Sequence, residues 1–274
     1  MISFETLKEK VQWVRREMLK LHKHAPESRI ASCLSDVEIF VALYYGGILN
    51  YNPQNPSDEN RDRFIISKGH GAVSLYPVLA DLGFFEKKEL QKIGTEHSFL
   101  CVIPDTSVPG FETVNGSLGH GLGVGCGVAL ALKRKKQNKN VVVLCGDGEL
   151  NEGSVWEAVM FAAFHKLNNL VLIIDNNKIS MLGYQKDILG LEPLEKKFEA
   201  FGWKAKRVDG HNLEELHGAL NSFKHNKSNA PKVLIANTYK GKGIPGLEGD
   251  PLCHVKSLKP DDIDKYLSIA NAPQ

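Results

Sequence analysis

Two apolar runs constrain this chain more than anything else in it: Val141-Val142-Val143-Leu144-Cys145 and Leu170-Val171-Leu172-Ile173-Ile174-Asp175. Each reads as a buried strand, and Ser154 to His165 between them reads as a helix, so the three form a parallel strand–helix–strand unit. The first run leads into Gly146-Asp147-Gly148-Glu149 and the second into Asn176-Asn177. An acidic residue and an amide therefore stand at the carboxyl ends of two successive parallel strands, where open α/β sheets bind ligands. One carboxylate and one amide oxygen make a sparse ligand set, suited to a Mg²⁺ that takes its remaining oxygens from a diphosphate and water. Gly146 and Gly148 allow a tight turn and a close approach to phosphate.

The flanking sequence continues the alternation. Leu7, Val11, Val14, Met18 and Leu21 recur at helical spacing, and Ser35-x-x-Glu38 resembles a capping box ahead of a second helix, Ile39 to Leu43. Phe64 to Ser67 reads as a short strand, with helices from about Ala72 and about Glu86. Residues 95–115 read as a long loop, a feature more often functional than idle. From Leu118 to Leu132, Gly119, Gly121, Gly123, Gly125 and Gly127 alternate with small apolar residues. Each glycine costs a helix roughly 1 kcal/mol relative to alanine, so a helix here needs a close backbone or ligand approach, with Gly119, Gly123 and Gly127 sharing a face. Further strands at about 203–208 and 232–238 alternate with helices near 194–201, 213–223 and 261–267. The expected fold is a single α/β domain over residues 1–274, a doubly wound, mostly parallel sheet with helices on both faces.

Composition excludes several classes. A formal net charge of +2 over 274 residues gives no case for nucleic acid or a membrane surface, and the basic run Arg134-Lys135-Lys136 reads as a solvated loop. No apolar run reaches membrane-span length. The amino terminus lacks a secretory pattern, and the five cysteines are scattered with no C-x-x-C pair, which fits reduced thiols in the cytoplasm.

The stretch from Gly146-Asp147-Gly148 to Asn177 is similar to the thiamine-diphosphate-binding motif shared by several enzyme families. Its filling, Glu149-Leu150-Asn151-Glu152-Gly153-Ser154-Val155-Trp156-Glu157-Ala158, resembles transketolase. So do Asn60 to Phe64 leading into Ser67-Lys68-Gly69-His70-Gly71, and Pro109-Gly110-Phe111-Glu112 leading into Gly116-Ser117-Leu118-Gly119-His120-Gly121. The resemblance runs from about Leu7 to about His254 and covers only the amino-terminal, diphosphate-binding part of a full transketolase.

The resemblance implies a site residue by residue. Asp147, Asn177 and the carbonyl of Ile179 would bind Mg²⁺ (or Ca²⁺ or Mn²⁺). Gly146, Gly148, Glu149, His70 and His254 would surround the diphosphate, although Val255 follows His254 where the family has glycine. Gly116, Ser117 and Leu118 would line the aminopyrimidine pocket. His120 stands where the family has glutamine, and Glu152 where it has an interface glutamate linking two cofactor sites. His70, His254, Arg29 and His120 are the expected substrate-facing or catalytic side chains. The glutamate that activates the pyrimidine belongs, in the family, to a following domain. The resemblance therefore implies a partner chain carrying that domain, in an α₂β₂ heterotetramer.

Two substitutions depart from the pattern. Arg29 replaces a histidine in Ser28-Arg29-Ile30-Ala31-Ser32, and Ile103 replaces another in Val102-Ile103-Pro104-Asp105, with His97 nearby in sequence. Arginine cannot act as a general base at neutral pH but can hold a carboxylate or phosphate bidentately. The expectation is transfer of a two-carbon ketol unit from an unusual sugar or sugar phosphate. The alternatives are a thiamine-diphosphate enzyme using a 2-oxo acid donor and a non-catalytic protein of the same fold that serves assembly.

Overall fold

The computed structural model describes residues 2–114, 116–226 and 228–270. Five parallel strands form one sheet in the order β1-β2-β3-β5-β4: β1 (Arg63–Ile66), β2 (Val141–Gly146), β3 (Leu170–Asn176), β4 (Lys204–Asp209) and β5 (Lys232–Asn237). Strands β2 and β3 are buried along their whole length, as their unbroken apolar runs require.

Alternate residues feed two cores. Val142, Leu144, Val171, Ile173, Leu234 and Ala236 pack on one face with α1 (Phe4–His24), α3 (Val37–Tyr44), α4 (Leu75–Asp81) and α9 (Leu213–Lys224). Val141, Val143, Cys145, Leu170, Leu172, Ile174, Val233 and Ile235 pack on the other with α5 (Gly121–Arg134), α6 (Gly153–Phe164) and α8 (Leu194–Ala200). The short helices α2 (Ile30–Leu34) and α7 (Gln185–Leu189) lie in the connections, and α10 (Pro260–Ala270) closes the described chain. This is the doubly wound α/β fold expected from the alternation.

Several local expectations change. Ser35 and Glu38 form no capping box. Ser35 Oγ donates to Asp175 Oδ2 at 2.8 Å, and Glu38 takes a bidentate pair from Arg15 Nη2 at 2.9 and 3.0 Å. The segments after Gly69 and Lys87 begin as 3₁₀ turns, Gly69–Ser74 and Lys87–Lys92, rather than as α-helix. The glycine-rich segment is helical only from Gly121, and the packed glycines within the helix are Gly121 and Gly125, against Ser67 and Val143, while Gly119 ahead of it packs on Glu152 and Ser154. Gly123 and Gly127 face open space, and Gly119 precedes the helix with φ of +83°. The i, i+4 period holds, shifted by two residues in phase, because glycine spacing alone does not say which members of the series meet the sheet.

Candidate active site

The carboxyl ends of four strands converge on one cleft. β1 runs into Lys68 and His70, β2 into Asp147 and Gly148, β3 into Asn177 and Ile179, and β5 into Lys240; these residues line a cavity of about 280 Å³. Arg29, Gly116, Leu118, Gly146, Glu149 and His254 complete most of its wall. The parallel register makes this convergence unavoidable, since every β-strand delivers its outgoing loop to the same sheet edge.

Asp147 is buried, and its two oxygens accept backbone N–H groups, Oδ1 from Gly148 at 2.8 Å and Oδ2 from Lys178 at 2.5 Å. Burial pushes its carboxyl up to about 7, reinforced by the nearby Asp175 charge and opposed by the Lys178 N–H. Gln185 Nε2 holds the Asp147 carbonyl at 2.8 Å, so α7 braces the turn from behind. Asn177 Nδ2 donates to Asp175 Oδ2 at 2.8 Å while its Oδ1 accepts from Ile179 N–H at 3.1 Å. The amide is thereby locked in one orientation. The Ile179 carbonyl accepts from Lys240 Nζ at 3.0 Å. Burial, followed by the Lys68 charge, lowers the Lys240 ammonium to about 8.

Beneath the cleft lies a buried ionic cluster. Lys68 Nζ pairs with Asp175, with Asp36 Oδ2 at 3.0 Å, and with the Ser32 carbonyl at 3.3 Å. Burial alone would discharge Lys68, but Asp175 and Asp36 outweigh it and hold its pKa above the ordinary lysine value. Thr238 Oγ1 and Ser35 Oγ also donate to Asp175, leaving that carboxylate fully engaged and its pKa low despite burial. This cluster fixes Asn177 through Asp175, and a single charge balance thus spans β1, β3 and β5.

His70 and His254 meet edge to face, with ring centroids 5.2 Å apart. Burial is the main cause that lowers both, His254 to about 3 with help from Lys240 and Arg29, and His70 well below its ordinary value with help from Lys68. Both are neutral at pH 7 and can accept or donate hydrogen bonds. Ser32 Oγ lies 3.4 Å from His254 Nδ1.

Glu149 borders the cleft, but its carboxylate serves the protein. Oε1 accepts from Ser67 Oγ and from Gly119 N–H at 2.9 Å, and Oε2 from Gly146 N–H at 3.2 Å. It staples the glycine-rich loop to the β2 turn. Ser117, His120 and Glu152 are exposed and are not part of the cleft wall among the described residues. His120 Nδ1 instead lies 2.9 Å from the Leu118 carbonyl, at the start of α5. Ile103 packs beside Gly116, and His97 is exposed and absent from that wall. Sequence reasoning gave no role to Lys68, Asp175, Ser32, Lys240 or Gln185. A lysine just past an apolar strand, as in Asn237-Thr238-Tyr239-Lys240, was the available signal for one of them.

The residues fit a metal-bound diphosphate. Among the described residues no three His, Cys, Asp or Glu side chains gather into a cage, so a cation here must draw oxygens from its ligand. Asp147, Asn177 and the Ile179 carbonyl are the available donors. Gly146 and Gly148 have ordinary negative-side backbones, and a Cβ on them would meet protein only at 3.9 and 3.6 Å. Their lack of side chain is not required by the fold and leaves room in the cleft.

Residues 23–270 match the family model described as transketolase, thiamine diphosphate binding domain. The chain belongs to the transketolase family. It is 40% identical to an apulose-4-phosphate transketolase subunit of Actinobacillus succinogenes over 97% of this chain and 96% of that protein. It is 37% identical to a 6-deoxy-6-sulfo-D-fructose transketolase subunit of Clostridium sp. over 84% and 83% of the two. Human transketolase is 39% identical over 93% of this chain, which spans 40% of the human protein. In three dimensions, transketolase of Campylobacter jejuni superposes with a TM-score of 0.90 at 33% identity, over 98% of this chain and 43% of that one. The family match covers most of the stretch from Leu7 to His254 over which the sequence resembles transketolase. Among the described residues, no helix is long and apolar enough to cross a membrane.

Proposed function

We infer that this chain is the diphosphate-binding subunit of a split transketolase, moving a two-carbon ketol unit from a ketose donor to an aldose acceptor. The observation that carries the reading is the convergence of Asp147, Asn177, Ile179, His70 and His254 on one cleft, in a chain that matches one transketolase subunit over 97% of its own residues and 96% of that subunit's. Mg²⁺, or Ca²⁺ or Mn²⁺ in its place, would be held by Asp147, Asn177 and the Ile179 carbonyl. Gly148 N–H, His70 and His254 would hold the diphosphate, and Gly116 and Leu118 the pyrimidine end. When bound, thiamine diphosphate supplies the electron sink for C–C cleavage.

The chain's own residues position and exclude. Lys178 and Gly148 orient Asp147, Asp175 orients Asn177, and Glu149 shapes the Gly116–Gly119 wall. Neutral His70 and His254 would each offer one N–H donor and one acceptor nitrogen to the diphosphate or to substrate hydroxyls without adding charge.

The pyrimidine-activating carboxyl is proposed to come from a partner chain in an α₂β₂ heterotetramer. Two features support a docking face: the helices that begin beside His120 and Glu152 expose Val124 on α5 and Met160, Phe161 and Phe164 on α6, the last 81% exposed. Glu152 would sit in that interface. The two relatives named above are transketolase subunits for apulose 4-phosphate and for a 6-deoxy-6-sulfo-fructose, which supports a non-standard sugar here. The five unpaired cysteines support a cytoplasmic location.

The test is reconstitution with the pyrimidine-domain chain, thiamine diphosphate and Mg²⁺, supplying xylulose 5-phosphate, hydroxypyruvate and pyruvate separately. Ketol transfer requiring both chains supports the reading. Carbon dioxide release from pyruvate, or full activity of this chain alone, refutes it.

A further inference from the structure

The cleft contains three cations, and their donors are unequally committed. Lys68 is spent on Asp175, Asp36 and the Ser32 carbonyl. Lys240 is buried and gives one of its three N–H donors to the Ile179 carbonyl. Arg29 is exposed, lines the same wall, and has no acceptor among the described residues. Its five N–H donors form a planar fork that matches an oxyanion. The fork sits at the histidine end of the cleft: Arg29 is among the charges felt by His254, whereas Asp147 feels chiefly Asp175 and Lys240. Gly116 also bounds the cleft, with Ile103 packed beside it. Isoleucine at 103 offers a sugar hydroxyl nothing, and Arg29 is the exposed cation among the described residues of this wall, where Lys68 and Lys240 are buried.

We propose that Arg29 selects the sugar donor by pairing with an oxyanion group, a phosphate or carboxylate carried on its carbon chain. The inference rests on the ketol-transfer reading and adds its substrate class. A guanidinium left unpaired in a half-enclosed cleft favours an anionic ligand over a neutral one, because only the former replaces the lost hydration. A neutral ketose of the same length leaves the fork without a partner.

Two measurements separate this inference from the reading beneath it. The first is calorimetric titration of the assembled, thiamine-diphosphate-loaded and Mg²⁺-loaded protein with 2-hydroxyethyl phosphate and, separately, with glycolate, which distinguish phosphate from carboxylate. Arg29→Met is expected to weaken the preferred anion at least tenfold, with Arg29→Lys intermediate. Equal affinities in wild type and Arg29→Met overturn the proposal whether or not any donor turns over.

The second is the ratio of kcat/KM for anionic donors (xylulose 5-phosphate, hydroxypyruvate) to that for neutral erythrulose. The ratio is expected to fall ten- to a hundredfold in Arg29→Met, mainly through KM. A ratio that holds within threefold overturns the proposal. So does a tenfold loss of thiamine diphosphate affinity, read by tryptophan fluorescence, with both anions bound as before, since that assigns Arg29 to the cofactor. Anion binding without turnover of any donor refutes the ketol-transfer reading and leaves Arg29 as an oxyanion site.

Discussion

Lys178 donates its backbone N–H to Asp147 Oδ2 at 2.5 Å from a backbone with φ of +65°. A left-handed lysine sits between the two residues that follow β3 into the cleft, Asn177 and Ile179, and the turn it makes brings Ile179 to the cleft wall, with its carbonyl on Lys240 Nζ. Such a conformation costs an ordinary residue about 1 kcal/mol, and more for a β-branched one. Lys178→Gly should therefore change stability by no more than about 1 kcal/mol, whereas Lys178→Val should cost about 1–2 kcal/mol. Thermal melts measure the stability, and fluorescence titration with thiamine diphosphate and Mg²⁺ should show weakened binding for the valine variant.

Asp147 is costly to the fold and valuable to the site. Its carboxyl is pushed up to about 7 by burial and by Asp175. A raised carboxyl stabilises nothing at high pH: below the unfolded value near 3.8 the group is neutral in both states, and the penalty grows as pH rises towards 7. Asp147→Asn should leave the melting temperature at pH 8 unchanged or higher, while metal-dependent binding of thiamine diphosphate falls at least a hundredfold. A melting temperature that drops sharply would mean the carboxylate is a structural anchor instead.

The glycines of α5 divide by what they face. A Cβ on Gly125 would lie 2.5 Å from Val143 Cγ2, whereas one on Gly123 meets nothing within 4 Å. Gly123→Ala should stabilise the isolated chain by about 1 kcal/mol, and Gly125→Ala should destabilise it by about 1–3 kcal/mol. Chemical denaturation of the two variants reads the difference. A bulky Gly123→Leu should leave the isolated chain folded and reduce assembly with the partner, measured by analytical ultracentrifugation.

How much of this was legible in the sequence follows from what each signal encodes. Strands β2 and β3 and the turn residues after them were readable, because an apolar run with a polar end has one stable placement in a parallel sheet. The ionic cluster was not. Lys68 is 32 residues from Asp36 and 107 from Asp175, and only the tertiary fold brings the three together. Local pattern also misleads at Ser35 and Glu38, where long-range partners, Asp175 and Arg15, outcompete a helix cap. His120 and Glu152 stand on the exposed side of this chain rather than in its cleft, where a cofactor pocket completed by a partner would need them.

The buried cluster yields its own test. Lys68→Met leaves Asp175 and Asp36 without their cation, and removing one member of a buried ion pair typically costs about 3–5 kcal/mol. Urea unfolding should show a loss of that order, and Lys68→Met with Asp36→Asn should recover part of it.

His22 ties the carboxyl-terminal segment to α1 through Ser257 and Leu258. Its Nδ1 lies 2.8 Å from Ser28 Oγ, and its Nε2 accepts from Leu258 N–H at 3.2 Å. Burial lowers it from 6.5 to about 4, against the opposing pull of Glu27. The folded state therefore excludes a proton that the unfolded state binds, so its contribution is complete above pH 6.5 and is lost as pH falls towards 4. Melting temperatures across roughly pH 4.5–7 should fall with a shallower slope for His22→Asn than for wild type.

The proposed reaction passes an intact two-carbon unit through the cleft at Asp147 and Asn177. The direct measurement uses a ketose donor labelled with ¹³C at both C1 and C2, an unlabelled aldose, thiamine diphosphate, Mg²⁺ and both chains, followed by ¹³C NMR. The expected result is a coupled ¹³C pair on the lengthened aldose, with the transfer abolished by Asp147→Asn. Separation of the two labels, or transfer that survives Asp147→Asn, would contradict it.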